Sequence, residues 1–195
     1  MSKKEIKRFD LDKAFNPEDI KGLRVDELEQ LSADIKQNIV NNCAKNGGHL
    51  ASSLGATDLI VALHHYFDLP NDKVIFDVGH QCYAHKILSG RTLDKLRKSD
   101  GVSGFQKRSE SVYDPYEAGH SSTSISAAMG LALARDLNKE QYQVIAVIGD
   151  SSLANGVAFE GLNNLANFKH KIIIISWLLG LRFSEVCCSY RHRTL

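Results

Sequence analysis

The chain has 195 residues, 43% hydrophobic and 24% charged, a composition that builds a cored globular domain and excludes wholesale disorder. Its 24 basic and 23 acidic residues leave a net charge of +1, and no basic stripe interleaved with aromatics occurs, so no nucleic-acid partner is expected. The charged first residues lead into no apolar segment, and the longest apolar run, Ile172 to Leu181 with Ser176 inside it, is too short to span a bilayer; no membrane association and a cytoplasmic location are expected.

Residues Met1 to Arg24 are polar and punctuated by Pro17 and Gly22, the pattern of an arm laid over the domain. From Asp26 the period turns helical: Asp26 with Glu29 reads as a capping box, and Leu31, Ile35, Ile39 and Cys43 recur every four residues until Gly47-Gly48 ends the helix. The small residues from Gly47 to Gly55 predict a loop that carries His49, after which Thr57 is expected to cap a second helix. Val74 to Phe76 reads as a short strand ending in Asp77-Val78-Gly79-His80, followed by a helix through Tyr83, Ile87 and Leu88 and another over Thr92 to Lys98. Gly101 to Glu117 has no sustained period and reads as a long active-site loop. It leads into Gly119-His120-Ser121-Ser122-Thr123-Ser124, a turn of small hydrogen-bonding groups that opens a helix and offers donors to an anion.

Val144 to Ile148 is a continuous apolar run, the mark of a strand buried on both faces, and it stops at Gly149-Asp150. Ser151, Ser152 and Asn155-Gly156 follow, then Val157, Ala158, Phe159 and Leu162 at helical spacing, so this stretch reads as strand, polar turn, helix. Asp150 there either caps the helix or holds a hard cation such as Mg²⁺ beside phosphates. Strands near 74, 144 and 172 separated by helices predict an α/β fold, a parallel sheet flanked by helices, with ligands at the strand ends.

His49, His80, His120 and Asp150 all sit beside glycines at predicted element ends, and this clustering singles them out. His64, His65, His85, His170 and His192 lack such a setting and read as structural. Cys43, Cys82 and the adjacent Cys187-Cys188 fit neither a disulfide framework nor a zinc spacing, and the phosphate motifs G-x-x-x-x-G-K-[ST] and G-x-G-x-x-G are absent from the sequence.

GGHLASSLG, FDVGHQCYAHKILSGR, GHSSTSIS and IGDSSLANGVAFEGLNN, in this order and spacing, closely resemble the N-terminal region of the 1-deoxy-D-xylulose-5-phosphate synthase family, thiamine-diphosphate enzymes of the transketolase superfamily. The resemblance runs from Phe9 to Ile175 and implies the incomplete N-terminal part of a thiamine-diphosphate-binding fold over residues 1–175. It implies the joining of pyruvate to D-glyceraldehyde 3-phosphate with loss of CO₂ by a homodimer, in the non-mevalonate route to isoprenoids and in thiamine and pyridoxal biosynthesis. By the same resemblance Asp150 is the Mg²⁺ ligand, His80, Gly119, His120, Ser121, Ser151 and Ser152 contact thiamine diphosphate, and His49 shuttles protons near the reacting carbonyl.

Two departures bear on that expectation. The family's Gly-Asp-Gly is here Gly149-Asp150-Ser151, and Leu179 stands where the family's second Mg²⁺ ligand, the last Asn of Asn-Asp-Asn, should fall. Leucine offers no oxygen, so binding of the cofactor is expected to be weak or absent and the chain inactive alone. The rival readings are the N-terminal subunit of a split transketolase and a non-catalytic fragment. Residues 176–195 depart from the family and read as a divergent tail made by a frameshift or truncation. Coding DNA that, read in another frame from Ser176 onward, gives Asn-Asp-Asn near residues 177–179 is the expected finding, and sequencing the gene checks it.

Overall fold

The computed structural model describes residues 8–177. Three parallel strands, β1 (Lys73–Phe76), β2 (Val144–Gly149) and β3 (Ile173–Trp177), lie side by side in sequence order, with Val74 opposite Ile145 and Ala146 opposite Ile174. Helices cover both faces: α1 (Val25–Asn46), α2 (Leu50–Tyr66) and α3 (Tyr83–Leu88) on one, α4 (Ser124–Leu137) and α6 (Gly156–Leu165) on the other, with a single helical turn α5 (Asp150–Leu153) directly after β2. The alternation of side chains along a strand divides the core. Val74, Phe76, Ile145 and Val147 point to α1–α3, while Ile75, Val144, Ala146 and Ile148 point to α4 and α6. This is the expected α/β sheet, and β2 in its middle is the apolar run read as doubly buried. No helix among the described residues is long and apolar enough to cross a membrane.

Four local expectations are corrected. The first helix begins at Val25, with the Arg24 amide bonded to Glu27 Oε2 at 3.0 Å, so the capping carboxylate is Glu27 and the Asp26–Glu29 pair lies within the helix. The Leu50–Gly55 stretch is the start of α2 and not a loop; its small residues serve close packing, since Ser53 is buried and its hydroxyl donates to the His80 carbonyl at 2.7 Å. Thr57 therefore sits inside that helix and donates to Ser53 O. Thr92–Lys98 forms turns because Arg97 adopts φ 63°, which a right-handed helix cannot contain, while Leu93 and Leu96 are drawn into the core. The strand expected near 172 is β3, Ile173–Trp177. Leu179, Cys187, Cys188, His192 and the rest of 178–195 lie outside the described residues, as do Lys3, Lys4 and Lys7.

The irregular segment 101–117 is fixed by charge. Asp114, buried, accepts His85 Nε2 at 3.0 Å and both Arg91 nitrogens at 2.6 and 3.1 Å; Glu110 accepts Lys86 Nζ at 2.7 Å. Burial opposes the charge on Asp114, but the bonds from His85 and Arg91 outweigh it and hold the carboxyl well below its ordinary range. A carboxylate only accepts, so neutral His85 carries its proton on Nε2 and its Nδ1 accepts from His64 Nε2, 2.8 Å away. Burial pushes both imidazoles below 6.5, helped at His64 by His85, Lys21 and Arg91, and only partly opposed at His85 by Asp114.

Lowered folded values mean that the unfolded chain binds these protons first. Stability is then full above the ordinary imidazole value of 6.5 and is lost as pH falls through the lowered folded values. Unfolding in urea measured from pH 8 to pH 5 should show the loss beginning near 6.5, with a slope approaching about 1.4 kcal/mol per pH unit for each proton taken up only on unfolding. A flat profile over that range would show that the pair does not stay neutral in the fold.

Candidate functional site

The C-terminal ends of β1 and β2 open into a cavity of about 190 Å³ lined by Ser52, His80, Gln81 and the run Gly149 to Ser152, with Asp77, Val78 and Trp177 completing its wall. Parallel strands direct these residues to one edge, the position where open α/β sheets bind ligands. His80 leaves β1 through Val78 (φ 58°) and Gly79 (φ 94°), and its ring stacks on His49 with centroids 3.6 Å apart. The turn at Gly79 needs glycine's conformational freedom, and a methyl there would also sit tightly, 3.3 Å from the Gln106 backbone nitrogen. Burial lowers the His80 pKa, with further depression from His49 and Arg97. His49 is the exposed member of this stacked pair and His80 the half-buried one.

Asp150 begins α5, and its Oδ1 accepts the Ser151 amide at 2.7 Å and the Ser151 hydroxyl at 3.2 Å. It makes no ion pair among the described residues, so a carboxylate faces the cavity without a basic partner. Ser151 is helical and absent from the positive-φ residues, which is why a side chain is accepted there. No group of three or more His, Cys, Asp or Glu suited to a metal occurs among the described residues, so any cation here would draw on one carboxylate and on oxygens from a ligand or water.

The turn before α4 lies to one side. His80, Asp150, Ser151 and Ser152 line the cavity and His49 stacks at its rim, whereas Gly119, His120 and Ser121 are exposed and do not line it. Among the described residues, Ser121 is reached only by the Asn155 amide at 3.5 Å. The donors at this helix start also face a different anion from the one expected. Ser122 N and Ser124 N bond the Asp77 carboxylate at 2.7 and 3.1 Å, so the fold's own buried aspartate fills that place. Ser122 Oγ then donates to Ser152 O at 2.8 Å and ties the turn to α5. Asp77 is the functional residue that sequence reasoning passed over in favour of His80; its place at a strand terminus was visible, but its partners 45 and 47 residues away were not.

The profile of a family described as 1-deoxy-D-xylulose-5-phosphate synthase matches residues 11–177. The chain is 55% identical over 161 residues to a 1-deoxy-D-xylulose-5-phosphate synthase of Carboxydothermus hydrogenoformans, covering 82% of this chain and 26% of that protein. It is 52% identical over 167 residues to one of Dehalococcoides mccartyi, covering 85% of this chain and again 26% of the relative. The chain therefore spans about a quarter of the length of these relatives. Among solved structures, transketolases from Leishmania mexicana and Campylobacter jejuni share the fold at TM-scores of 0.64 and 0.66, each at 19% identity, covering 76% and 78% of this chain and 27% and 28% of theirs.

Replacing Asp77 by Ala leaves two buried amides without their acceptor. The expected loss is about 3 kcal/mol of stability, read as a lower urea midpoint at unchanged slope, with faster hydrogen exchange at Ser122 and Ser124. Unchanged exchange at those two amides would show that the carboxylate does not hold the turn.

Proposed function

The chain belongs to the 1-deoxy-D-xylulose-5-phosphate synthase family, and from that premise we propose that the cavity beneath β1 and β2 is the diphosphate-and-metal half of a thiamine-diphosphate site. The observation that carries the reading is the meeting of Asp150 and His80 in one cavity at the ends of two parallel strands. The residues fit such a group in kind, because Mg²⁺ is commonly held by one or two carboxylates together with phosphate oxygens and water. Asp150 would hold the cation and Ser151 and Ser152 the diphosphate, with His80, Gly119, His120 and Ser121 as neighbouring contacts. When bound, the thiazolium ring supplies the electron sink that decarboxylation of a 2-oxo acid requires. The part left to this chain is to seat the cofactor and, through the exposed ring of the His49–His80 pair, to give or take a proton at the substrate carbonyl.

Pyruvate and D-glyceraldehyde 3-phosphate as substrates, a cytoplasmic homodimer, and supply of isoprenoid and thiamine biosynthesis come with the family and form part of the proposal. A single carboxylate is a sparse donor set, and Leu179 adds no oxygen to it. This chain accordingly binds the cofactor weakly and does not complete the reaction unaided.

Titration of the isotope-labelled chain with Mg²⁺ and thiamine diphosphate tests both halves of the reading. Expected are NMR shift changes centred on residues 149–152 and His80, far from saturation at concentrations that fill a complete synthase, lost in Asp150→Ala, and without CO₂ release from added pyruvate. Changes centred elsewhere would refute the site; tight metal-dependent binding or turnover would refute its weakness.

A further inference from the structure

The motif FDVGHQCYAHKILSGR runs on past the cavity, and its second half takes no part in the reading above. His85, Lys86 and Arg91 from that half are the partners of Glu110 and Asp114, which lie in a segment with no regular structure. Both carboxylates also fold that segment's own backbone: Glu110 accepts the Ser103 amide at 2.6 Å and Asp114 accepts the Lys107 amide at 2.9 Å. Between those two amides stand Phe105, whose ring centroid is 5.2 Å from that of His80, and Gln106, whose amide group bonds Phe76 N and Val74 O along β1 at 2.9 and 3.0 Å.

We propose that Glu110 and Asp114, clamped by Lys86, Arg91 and His85, are positioning residues that shape the 103–107 turn so that Phe105 backs His80 and keeps it stacked on His49. Two cations face two carboxylates with exposures of 0% for Lys86, 10% for Arg91, 14% for Glu110 and 0% for Asp114, and hiding so much charge is an inefficient route to stability compared with apolar packing. What the cluster does supply is a unique geometry for a segment that has few apolar anchors of its own. His85 extends the clamp to α2 through His64. The chain of contact therefore runs from the last turn of α2, through two imidazoles and a carboxylate, to the ring behind the stacked pair.

The histidine ring resonances of the full chain, recorded without cofactor, test this separately from any reading of the reaction. Phe105 and His49 both shift the His80 ring protons by their ring currents, and Phe105→Leu fixes the position that those protons take without Phe105. Asp114→Asn and Glu110→Gln are expected to move the His80 resonances toward that position and to alter those of His49. Ile60→Val, which weakens the α2 core away from the segment, is the control and should leave them in place. Should Asp114→Asn fail to fold, Glu110→Gln, at the less buried carboxylate, decides. Unchanged His80 and His49 resonances in a folded variant would overturn the proposal, and so would an equal movement in the Ile60→Val control.

Discussion

The cavity depends on one buried carboxylate. Asp77 ends β1 with its own amide bonded to Val147 O, and its side chain takes the amides of Ser122 and Ser124 at the start of α4. An aspartate at a helix N-terminus is favoured by both the free amides and the helix dipole, but here the capping residue comes from another strand and so serves as a tertiary tie. Ser122 is held at φ 75°, a conformation that costs a non-glycine residue energy and persists only where the surroundings enforce it. Two amides bonded to a charged, buried acceptor supply that enforcement. Because Ser122 then bonds Ser152 O, the end of β1, the start of α4 and the turn after β2 are tied together, and those are the segments that carry His80, His120 and Asp150.

On the other side of the sheet a second set of ties performs the corresponding task for the other wall. Among the described residues β1 is an edge strand, and an edge left open is a template for unwanted pairing. Gln106 closes it by offering its amide group to Phe76 N and Val74 O, much as a further strand would. The same side chain anchors the segment that presses Phe105 on His80, so protecting the edge and backing the histidine are consequences of one contact.

Periodicity made the architecture legible. The unbroken apolar run at β2 announced a strand with helices on both faces, and the four-residue recurrence from Leu31 to Cys43 announced α1 with its end at Gly47. Polar residues at strand termini likewise pointed to His80 and Asp150, which share the cavity. The failures nearest the site are of one kind. Ser53 and Gly55 have loop-like chemistry, and only the close packing of α2 against the His80 turn makes them helical. Asp77, His85 and Asp114 earn their importance chiefly from partners between 21 and 47 residues away, a distance over which a local pattern carries no information. His85 looked structural because no glycine or element end flanks it, and it does belong to the buried framework, though one that leads to the site.

Ser151 shows how a departure from a family's pattern should be weighed. Where the family has glycine, one argument for glycine is a positive φ, and it does not hold here, since Ser151 is helical. The added hydroxyl lies 3.2 Å from Asp150 Oδ1 and donates to it, which occupies a lone pair that a cation would want. That bond is easily surrendered: a hydroxyl rotates, and its oxygen is itself a hard ligand. Two oxygens 3.2 Å apart are also close to the separation of about 3 Å between adjacent ligands in a six-oxygen shell with bonds of 2.0–2.1 Å. The serine is therefore compatible with a cation at Asp150, and of the two departures it is the milder. Leu179 is the graver one, because no rotation of a leucine side chain presents an oxygen.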